Sequence, residues 1–311
     1  MHRNIANLLP TQVVGRAKAM GERGQKWLWE LDKLVSQLES AWNICVGEVL
    51  SGGSHALVAL AKGSNGAQYV LKIDLPDDDG SEFLRTVQIL RAADGRGYVK
   101  MYAFDVQRRA VLLERLGGVL RCSGFSPQEQ MRILCRVLCE TWQMPARDIA
   151  LLDGEASIAW FRAFIPEAWN TLGKPCDERV IARAMEYLDA RERAMAPECF
   201  VLLHGDAHNN NALEVPDRPG EYKLIDAEGL LYEREYDLGV LMREWPEEYE
   251  AYPLSAAKER SRYLAALTGA DEEGIWHWGF LQMVSTSFVL LQIGDCALGM
   301  RMLAIAQCWA A

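Results

Sequence analysis

Asp206, Asn211 and Asp226 are polar residues that lie beside two apolar segments of the chain. Asp206 follows the apolar run at residues 201–203, Asn211 comes five residues later, and Asp226 ends a second apolar run fifteen residues after Asn211. Phosphoryl transfer from ATP needs one carboxylate that orients the acceptor hydroxyl and receives its proton, together with an amide oxygen and a second carboxylate that hold Mg²⁺ against the phosphates. These three side chains supply the groups that such a reaction requires.

The spacing of Asp206 and Asn211 equals that of Asp and Asn in the protein-kinase catalytic loop. Alone, this spacing is common by chance, and a polar turn rich in His, Gly, Asp and Asn would produce the same string. The position of the string between two apolar strands, and the second carboxylate at Asp226, favour the catalytic interpretation. The chain has no Walker phosphate loop and no Gly-x-Gly-x-x-Gly pattern, which argues against a P-loop ATPase.

Lys72 lies in the apolar strand-like segment Val70-Leu71-Lys72-Ile73. An unpaired buried ammonium is costly, so Lys72 needs an acidic partner or a ligand phosphate. Glu82, ten residues later at the start of a predicted helix, is a candidate partner. Kinases use such a pair to position the α- and β-phosphates of ATP. The alternative is an exposed lysine on an edge strand.

The elements around Lys72 form a β-rich region. Helical spacing of Trp27, Leu31 and Leu38 predicts a helix over 24–42. Asn65-Gly66 predicts a hairpin between two strands. The predicted strands of this region are 46–50, 56–61, 68–74, 99–105 and 110–116, with one helix at 81–93 inserted after the third strand.

After Gly117-Gly118 the pattern becomes helical. Ser126 and Glu129 form a capping box with proline at the first helical position, and a second helix is predicted over 179–195. The strands at 200–203 and 222–225 are short, and the chain from 237 onward is predicted to be helical. We therefore predict an α+β fold with a nucleotide-binding lobe at 1–116 and a helical lobe at 117–311 that carries the catalytic loop and the acceptor site.

Composition and net charge limit the classes of molecule that the chain is expected to bind. The formal net charge is -10 over 311 residues, which argues against nucleic acid or a membrane surface as the main partner and is compatible with a cationic substrate. The eight cysteines are scattered without a CxxC pair, and we predict reduced, mostly buried thiols in the cytoplasm. Neither a signal peptide nor a membrane-spanning segment is predicted.

The chain resembles the aminoglycoside phosphotransferase superfamily, and most closely its streptomycin and hydroxyurea phosphotransferase branch. The resemblance runs from about residue 20 to 250. It is carried, in the same order as in that branch, by Gly21-Glu22-Arg23-Gly24 with Trp27-Leu28, Leu113-Glu114-Arg115-Leu116, His204-Gly205-Asp206 with Asn211, Ile225-Asp226-Ala227-Glu228-Gly229-Leu230, and Tyr236-Asp237-Leu238-Gly239. It implies a protein-kinase-like two-lobe fold that binds ATP and Mg²⁺.

The resemblance also implies roles for individual residues. Asp206 is the expected catalytic base, and Asn211 and Asp226 are the expected Mg²⁺ ligands. The expected nucleotide contacts are the Lys72–Glu82 pair at the phosphates and the backbone from Glu114 to Leu116 at adenine. Asp237 is expected to brace the catalytic loop, His204 to hold it by hydrogen bonding, and His208 receives no role.

Two positions depart from the family loop, since Ala207 and Asn210 stand where leucine and glycine are usual. These departures leave the acceptor open. The leading interpretation is a kinase for a streptomycin-like aminoglycoside, because nine acidic and two basic residues at 226–250 suit a cationic acceptor. The acidic candidates are Glu228, Glu233, Glu235 and Glu244. The alternatives are a kinase for another small alcohol and a catalytically silent nucleotide-binding module.

Overall fold

A five-stranded antiparallel sheet forms the centre of the N-terminal unit of the chain. The computed structural model describes residues 4–53, 55–76, 80–146 and 149–311. The N-terminal unit consists of the residues up to Gly117 together with Val215–Pro219, and the second unit consists of Gly118–Glu214 and Gly220–Ala311. The sheet has the order β1-β2-β3-β5-β4, with strands β1 (Ile44–Val49), β2 (Ala56–Gly63), β3 (Gln68–Asp74), β4 (Met101–Asp105) and β5 (Ala110–Glu114).

Among its described residues, the N-terminal unit has three α-helices, of which the second packs its apolar face against this sheet. They are α1 (Thr11–Ala19), α2 (Glu22–Trp42) and α3 (Ser81–Ala93), preceded by a 3-10 turn at Ile5–Leu8. Leu31 and Leu38 of α2 are fully buried in one cluster with Leu71 and Ile73 of β3. Because side chains alternate across a strand, Lys72 lies on the face of β3 opposite to this cluster.

Local sequence signals account for most elements of the N-terminal unit. The predicted strand at 68–74 and the predicted helix at 81–93 have the observed bounds of β3 and α3. Gly66 has φ of +84° in the turn between β2 and β3, which confirms the hairpin predicted from Asn65-Gly66. Helix α1 is not among the predicted elements.

The second unit is mainly helical. Its helices are α4 (Pro127–Thr141), α5 (Gly154–Thr171), α6 (Glu178–Arg193), α7 (Glu235–Arg243), α8 (Pro253–Thr268), α9 (Glu272–Gln292) and α10 (Cys296–Trp309). Short strands β6 (Leu152–Asp153), β10 (Leu230–Tyr232) and β7 (Val201–Leu203) form a three-stranded sheet in this order, and β8 (Ala212–Glu214) pairs with β9 (Tyr222–Leu224) as a hairpin. Further 3-10 turns cover Leu120–Cys122, Pro197–Cys199 and Pro246–Tyr249.

Helix α9 lies at the centre of the helical core. Thirteen of its residues are buried, including Trp278. A Cβ added to Gly239 of α7 would lie 2.7 Å from the Trp278 Cβ, so the absence of a side chain at Gly239 allows α7 and α9 to approach closely. This close packing fixes the position of α7, the helix that follows the loops of the candidate site in the chain.

Helix α5 is the main element that the sequence reasoning does not predict. Pro166 lies inside it, and its aromatic residues occur on both faces, since Phe161 is buried whereas Trp160 is half exposed. Because of the internal proline and the aromatic residues on both faces, the apolar residues of α5 do not recur at a clear helical spacing. By contrast, the capping box at the start of α4 forms as predicted, with the Glu129 backbone N–H donating to Ser126 Oγ at 3.3 Å and Ser126 N–H donating to Glu129 Oε2 at 3.0 Å.

The burial of the cysteines differs from the prediction made from the sequence. All eight are free thiols, but only Cys135 and Cys176 are buried, one is half-buried and five are exposed, so the prediction of mostly buried thiols is wrong. In β1, for example, Ile44 and Val46 are buried whereas Cys45 between them is exposed, because side chains alternate across a strand. Among the described residues, no helix combines the length and apolarity that crossing a bilayer requires.

Candidate active site

The loop at residues 204–211 follows the buried strand β7 and contains the predicted catalytic residue. Gly205 has φ of +90°, and a Cβ added there would lie 2.8 Å from Leu230 Cδ1 and 3.0 Å from Glu228 Cβ. Both the backbone angle and the close approach require glycine at this position. The chain thereby turns sharply and brings Asp206 to a half-exposed position directly after the core.

Asp237 of α7 holds the start of this loop. Its carboxylate is fully buried and accepts hydrogen bonds from Gly205 N at 2.8 Å, His204 N at 3.0 Å and Trp142 Nε1 at 2.9 Å. Burial raises the pKa of Asp237, and these donors together with His204 oppose that effect. The three hydrogen bonds confirm the prediction that Asp237 braces the loop that contains Asp206.

His204 links Asp206 to the segment before Asp226. Its Nδ1 accepts the Asp206 backbone N–H at 3.1 Å, and its Nε2 lies 2.8 Å from the Ile225 carbonyl oxygen. Because Nδ1 accepts a hydrogen bond, the imidazole is neutral and carries its proton on Nε2. Burial lowers the pKa of His204, which stabilises this neutral form. The predicted structural role of His204 is confirmed.

Asn211 and Asp226 lie at the same end of the β8–β9 hairpin. Ala212 pairs with Leu224, and the Ile225 backbone N–H donates to the Asn211 carbonyl at 2.9 Å. Asn211 Nδ2 donates to the Asp206 carbonyl at 3.0 Å, which leaves the amide oxygen for a cation. Asp226 is exposed and has φ of +58°.

The donor set of this hairpin fits Mg²⁺. Magnesium prefers oxygen ligands and usually binds one or two carboxylates together with substrate phosphates. Among the residues that the structure describes, no group of three or more His, Cys, Asp or Glu side chains is arranged to hold a metal. An amide oxygen and one carboxylate suit a metal that arrives with a nucleotide, because substrate phosphates and waters supply the remaining ligands of Mg²⁺.

Two side chains contact the Asp206 carboxylate. Arg243 Nη2 donates to Oδ1, and His208 Nε2 lies 3.4 Å from Oδ2. His208 Nδ1 accepts the Asn210 backbone N–H at 3.2 Å, so the neutral His208 ring carries its proton on the nitrogen that faces Asp206. Burial alone would raise the pKa of Asp206, but the hydrogen bond from His208 and the charge of Arg243 lower it well below its usual range.

Sequence reasoning missed both of these residues. His208 is two positions after Asp206, so its proximity was a usable signal, yet no role was assigned to it. Arg243 is 37 residues from Asp206 along the chain and has no motif of its own. Its position six residues after Asp237 in the same helix was the only available signal.

The predicted nucleotide-binding residues lie in the N-terminal unit. Lys72 Nζ lies 3.5 Å from Asp74 Oδ1, and Glu82 is exposed in the first turn of α3. Glu114 ends β5, where its N–H donates to the Lys100 carbonyl at 2.8 Å and its carboxylate accepts the Lys100 N–H at 2.7 Å. Leu116 follows two residues later without regular secondary structure. The assigned roles of Lys72, Glu82, Glu114 and Leu116 stay predictions.

The predicted acidic surface for the acceptor needs correction. Glu233 accepts hydrogen bonds from Arg191 Nη2 at 2.9 Å and Trp278 Nε1 at 2.5 Å, with 12% of its side chain exposed. Glu235 is buried and accepts the Asp271 N–H at 2.9 Å. Both carboxylates bond within the helical core, where desolvated carboxylates need such partners. Of the four candidates, Glu228 is exposed and Glu244 is half-buried.

Comparison with known proteins places this chain in a family. The family model described as aminoglycoside/hydroxyurea antibiotic resistance kinase matches residues 42–286. The chain belongs to this family. Membership confirms the predicted resemblance and the prediction of a small-molecule phosphotransferase that acts on hydroxyl groups.

Individual relatives agree with this membership. The streptomycin 6-kinase of Streptomyces glaucescens is 25% identical over 294 residues, which cover 94% of this chain and 93% of the relative. The hydroxyurea phosphotransferase of Kitasatospora aureofaciens is 24% identical over 290 residues, covering 92% and 81%. A solved spectinomycin phosphotransferase, in complex with ADP and spectinomycin, matches with a TM-score of 0.59 and 14% identity over 88% of this chain and 96% of that chain. The structural match confirms the α+β, protein-kinase-like fold.

Proposed function

We propose that this protein is an ATP- and Mg²⁺-dependent phosphotransferase that phosphorylates a hydroxyl of a streptomycin-like aminoglycoside and thereby confers resistance. The observation that carries the proposal is the catalytic loop, in which Asp206, Asn211 and the Asp226 hairpin are joined through His204 and Asp237. Family membership and the similarity to a streptomycin 6-kinase support the choice of acceptor.

In the proposed reaction, Asp206 accepts the proton of the acceptor hydroxyl while that oxygen attacks the terminal phosphorus of ATP, and ADP leaves. The lowered pKa of Asp206 keeps the carboxylate ionised at neutral pH, so its main contribution is to orient the hydroxyl. Asn211 and Asp226 would hold Mg²⁺, whose positive charge would neutralise and orient the phosphates of ATP.

We assign nucleotide binding to the N-terminal unit, with residues 1–116 as the nucleotide-binding lobe and 117–311 as the catalytic and acceptor lobe. Lys72, supported by Glu82, contacts the phosphates, and the backbone from Glu114 to Leu116 contacts adenine. The half-buried position of Lys72 in β3 supports the first assignment. The irregular segment after β5 supports the second, since its backbone groups are outside the sheet. We also assign the protein to the cytoplasm, which the eight free cysteines support.

A second candidate acceptor is a small alcohol with little or no positive charge. The burial of Glu233 and Glu235 favours it, because these carboxylates bond to protein groups and do not form an acidic surface. The similarity to a hydroxyurea phosphotransferase supports it as well. A silent nucleotide-binding module is disfavoured, because Asp206, Asn211 and Asp226 are all present in the braced loop and its hairpin.

Product formation with Mg·ATP separates these candidates. Wild-type protein is incubated with streptomycin, other aminoglycosides, hydroxyurea and small alcohols, and the phosphorylated product is detected by mass spectrometry. We expect phosphorylated streptomycin from the wild-type protein and none from Asp206→Asn, while Mg·ATP binding by calorimetry is retained in Asp206→Asn and lost in Asp226→Ala. Phosphorylation of a neutral alcohol alone would support the second candidate, and no product with any acceptor would refute the kinase proposal.

A further inference from the structure

The guanidinium of Arg243 contacts three side chains on two other elements. Nη2 donates to Asp206 Oδ1, whereas Nη1 donates to Gln282 Oε1 at 2.8 Å and to Thr286 Oγ1 at 3.0 Å. Gln282 and Thr286 lie one turn apart on α9, and 16% of the Arg243 side chain is exposed. Two neutral acceptors thus fix the plane of the guanidinium while its other nitrogen faces Asp206.

The charge of Arg243 is directed at Asp206. Among the described residues, Asp206 is the one carboxylate within ion-pair distance of this guanidinium. Other mostly buried arginines of the same unit are neutralised elsewhere, since Arg191 pairs with Glu233 at 2.9 Å and Arg260 pairs with Glu248 at 2.6 Å. Because burying an uncompensated charge is costly, the position of Arg243 depends on the Asp206 carboxylate.

The backbone of Arg243 is fixed as well. Arg243 is the last residue of α7, and Arg260 Nη1 donates to the carbonyl oxygens of Leu241 at 3.2 Å and Glu244 at 2.5 Å on either side of it. The Gly239–Trp278 approach fixes the same helix against α9. The guanidinium therefore extends from a rigid helix end into a rigid set of acceptors.

We propose that Arg243 is a positioning residue for phosphoryl transfer, which holds the Asp206 carboxylate in the orientation that accepts the acceptor hydroxyl. This inference rests on the proposed role of Asp206. Each carboxylate oxygen accepts two hydrogen bonds, so Arg243 at Oδ1 and His208 at Oδ2 leave one position on each oxygen for the acceptor hydroxyl. Arg243 acts through Asp206 and itself has no chemical step.

The test compares Arg243→Ala with a matched control in steady-state kinetics. Because a misplaced catalytic group costs about 100-fold in rate, we expect kcat to fall about 100-fold while KM for ATP and for the acceptor changes little. Guanidinium chloride at low concentration should restore part of the lost kcat. Arg183→Ala, which removes a surface ion pair to Glu186 of 2.7 Å, should keep the wild-type kcat.

Two further variants separate positioning from a general structural role. Arg243→Lys should stay slow, because an ammonium lacks the planar fork that reaches Asp206 together with Gln282 and Thr286. Thr286→Val, which removes one acceptor of the guanidinium, should lower kcat less than Arg243→Ala. A wild-type kcat in Arg243→Ala, an effect on KM alone, or a loss that guanidinium does not restore would each overturn the proposal.

A double-mutant cycle on unfolding distinguishes this proposal from the proposed function. Arg243→Ala, Asp206→Asn and the double variant are unfolded in urea, and a favourable coupling between the two side chains is expected. This measurement does not depend on any acceptor. Zero coupling would overturn the Arg243 proposal alone, whereas a coupled pair in a wild-type protein without kinase activity would contradict the proposed function alone.

Discussion

In the N-terminal unit, α2 and the sheet are joined by apolar side chains, whereas the loop at residues 204–211 of the second unit is held by buried hydrogen bonds. Leu31 and Leu71 are fully buried among other hydrocarbon groups. At the loop, His204 and Asp237 are equally buried but bond to backbone groups and to Trp142. Apolar packing tolerates volume-conserving exchange, while a buried polar network fixes positions only when every member is satisfied.

This difference shows which region of the protein depends on exact side-chain positions. The apolar cluster supplies stability to a sheet, and its geometry can relax when one side chain changes. The hydrogen bonds at the loop set the position of Asp206, and the proposed phosphoryl transfer requires that position within a fraction of an ångström. Substitutions in the two regions should therefore separate loss of stability from loss of activity.

The largest effect is expected for Asp237→Ala. Three buried N–H groups lose their acceptor, and each unsatisfied donor costs about 1–3 kcal/mol, so the variant should be destabilised by at least about 3 kcal/mol and should have no detectable turnover. Urea unfolding and product formation at a temperature where the variant is folded measure the two effects. Asp189→Ala, which breaks a half-exposed pair with Arg162 of 2.7 Å, is the control and should cost less than about 1 kcal/mol. Unimpaired turnover in Asp237→Ala would remove the contrast between the two regions.

Leu31→Ala tests the apolar side of the comparison. The fully buried leucine should leave a cavity that costs about 3 kcal/mol of stability, because the surrounding helices and strands relax only partly. At a temperature where this variant is folded, kcat should stay close to that of the wild-type protein. Thermal unfolding and kcat are measured in parallel, with Trp29→Ala, at an exposed residue of the same helix, as the control. A large fall in kcat of folded Leu31→Ala would show that the apolar core also sets the catalytic geometry.

His277 sharpens the comparison because it is a buried polar residue away from the loop. Burial and the charge of Arg191 lower its pKa to about 4, while its ring stacks on Tyr187 at 4.2 Å between centroids. An unfolded histidine has a pKa of about 6.5, so the unfolded state binds more protons between about pH 6.5 and 4. The stability that the neutral ring contributes is therefore present above pH 6.5 and is lost as the pH falls toward 4.

The corresponding measurement is the midpoint of thermal unfolding from pH 7.5 to 4.5 in the wild-type protein and His277→Gln. The variant should lose less stability on acidification, because it lacks the titrating ring. His204, whose pKa burial also lowers, titrates in both proteins and cancels in the difference. Parallel curves for the two proteins would contradict this assignment.

The smallest effect is expected for Ser126→Ala at the exposed start of α4. Removing the hydroxyl leaves the Glu129 N–H without its cap and should cost about 1 kcal/mol with unchanged kcat. Gln128→Ala, at an exposed position of the same turn, serves as the control in urea unfolding. Equal stabilities of the two variants would mean that water accepts the Glu129 N–H as well as the Ser126 hydroxyl does.

The sequence by itself determined the elements whose signals are local. The bounds of β3 and α3, the Asn65-Gly66 turn and the α4 capping box follow from alternation, helical period and turn chemistry within a few residues. The predicted catalytic set was also local, because Asp206 and Asn211 share one loop and Asp226 ends the adjoining strand.

Only the tertiary structure decided what surrounds Asp206 and which carboxylates bond within the core. Arg243 reaches Asp206 because α7 packs closely on α9, and Gln282 and Thr286 then fix its guanidinium. Glu233 accepts a hydrogen bond from Arg191, 42 residues away along the chain. The run of acidic residues in the sequence could not show that this carboxylate bonds within the core. The physical reason is that the sequence specifies the type and charge of each residue, whereas helix packing decides which charged side chains come into contact.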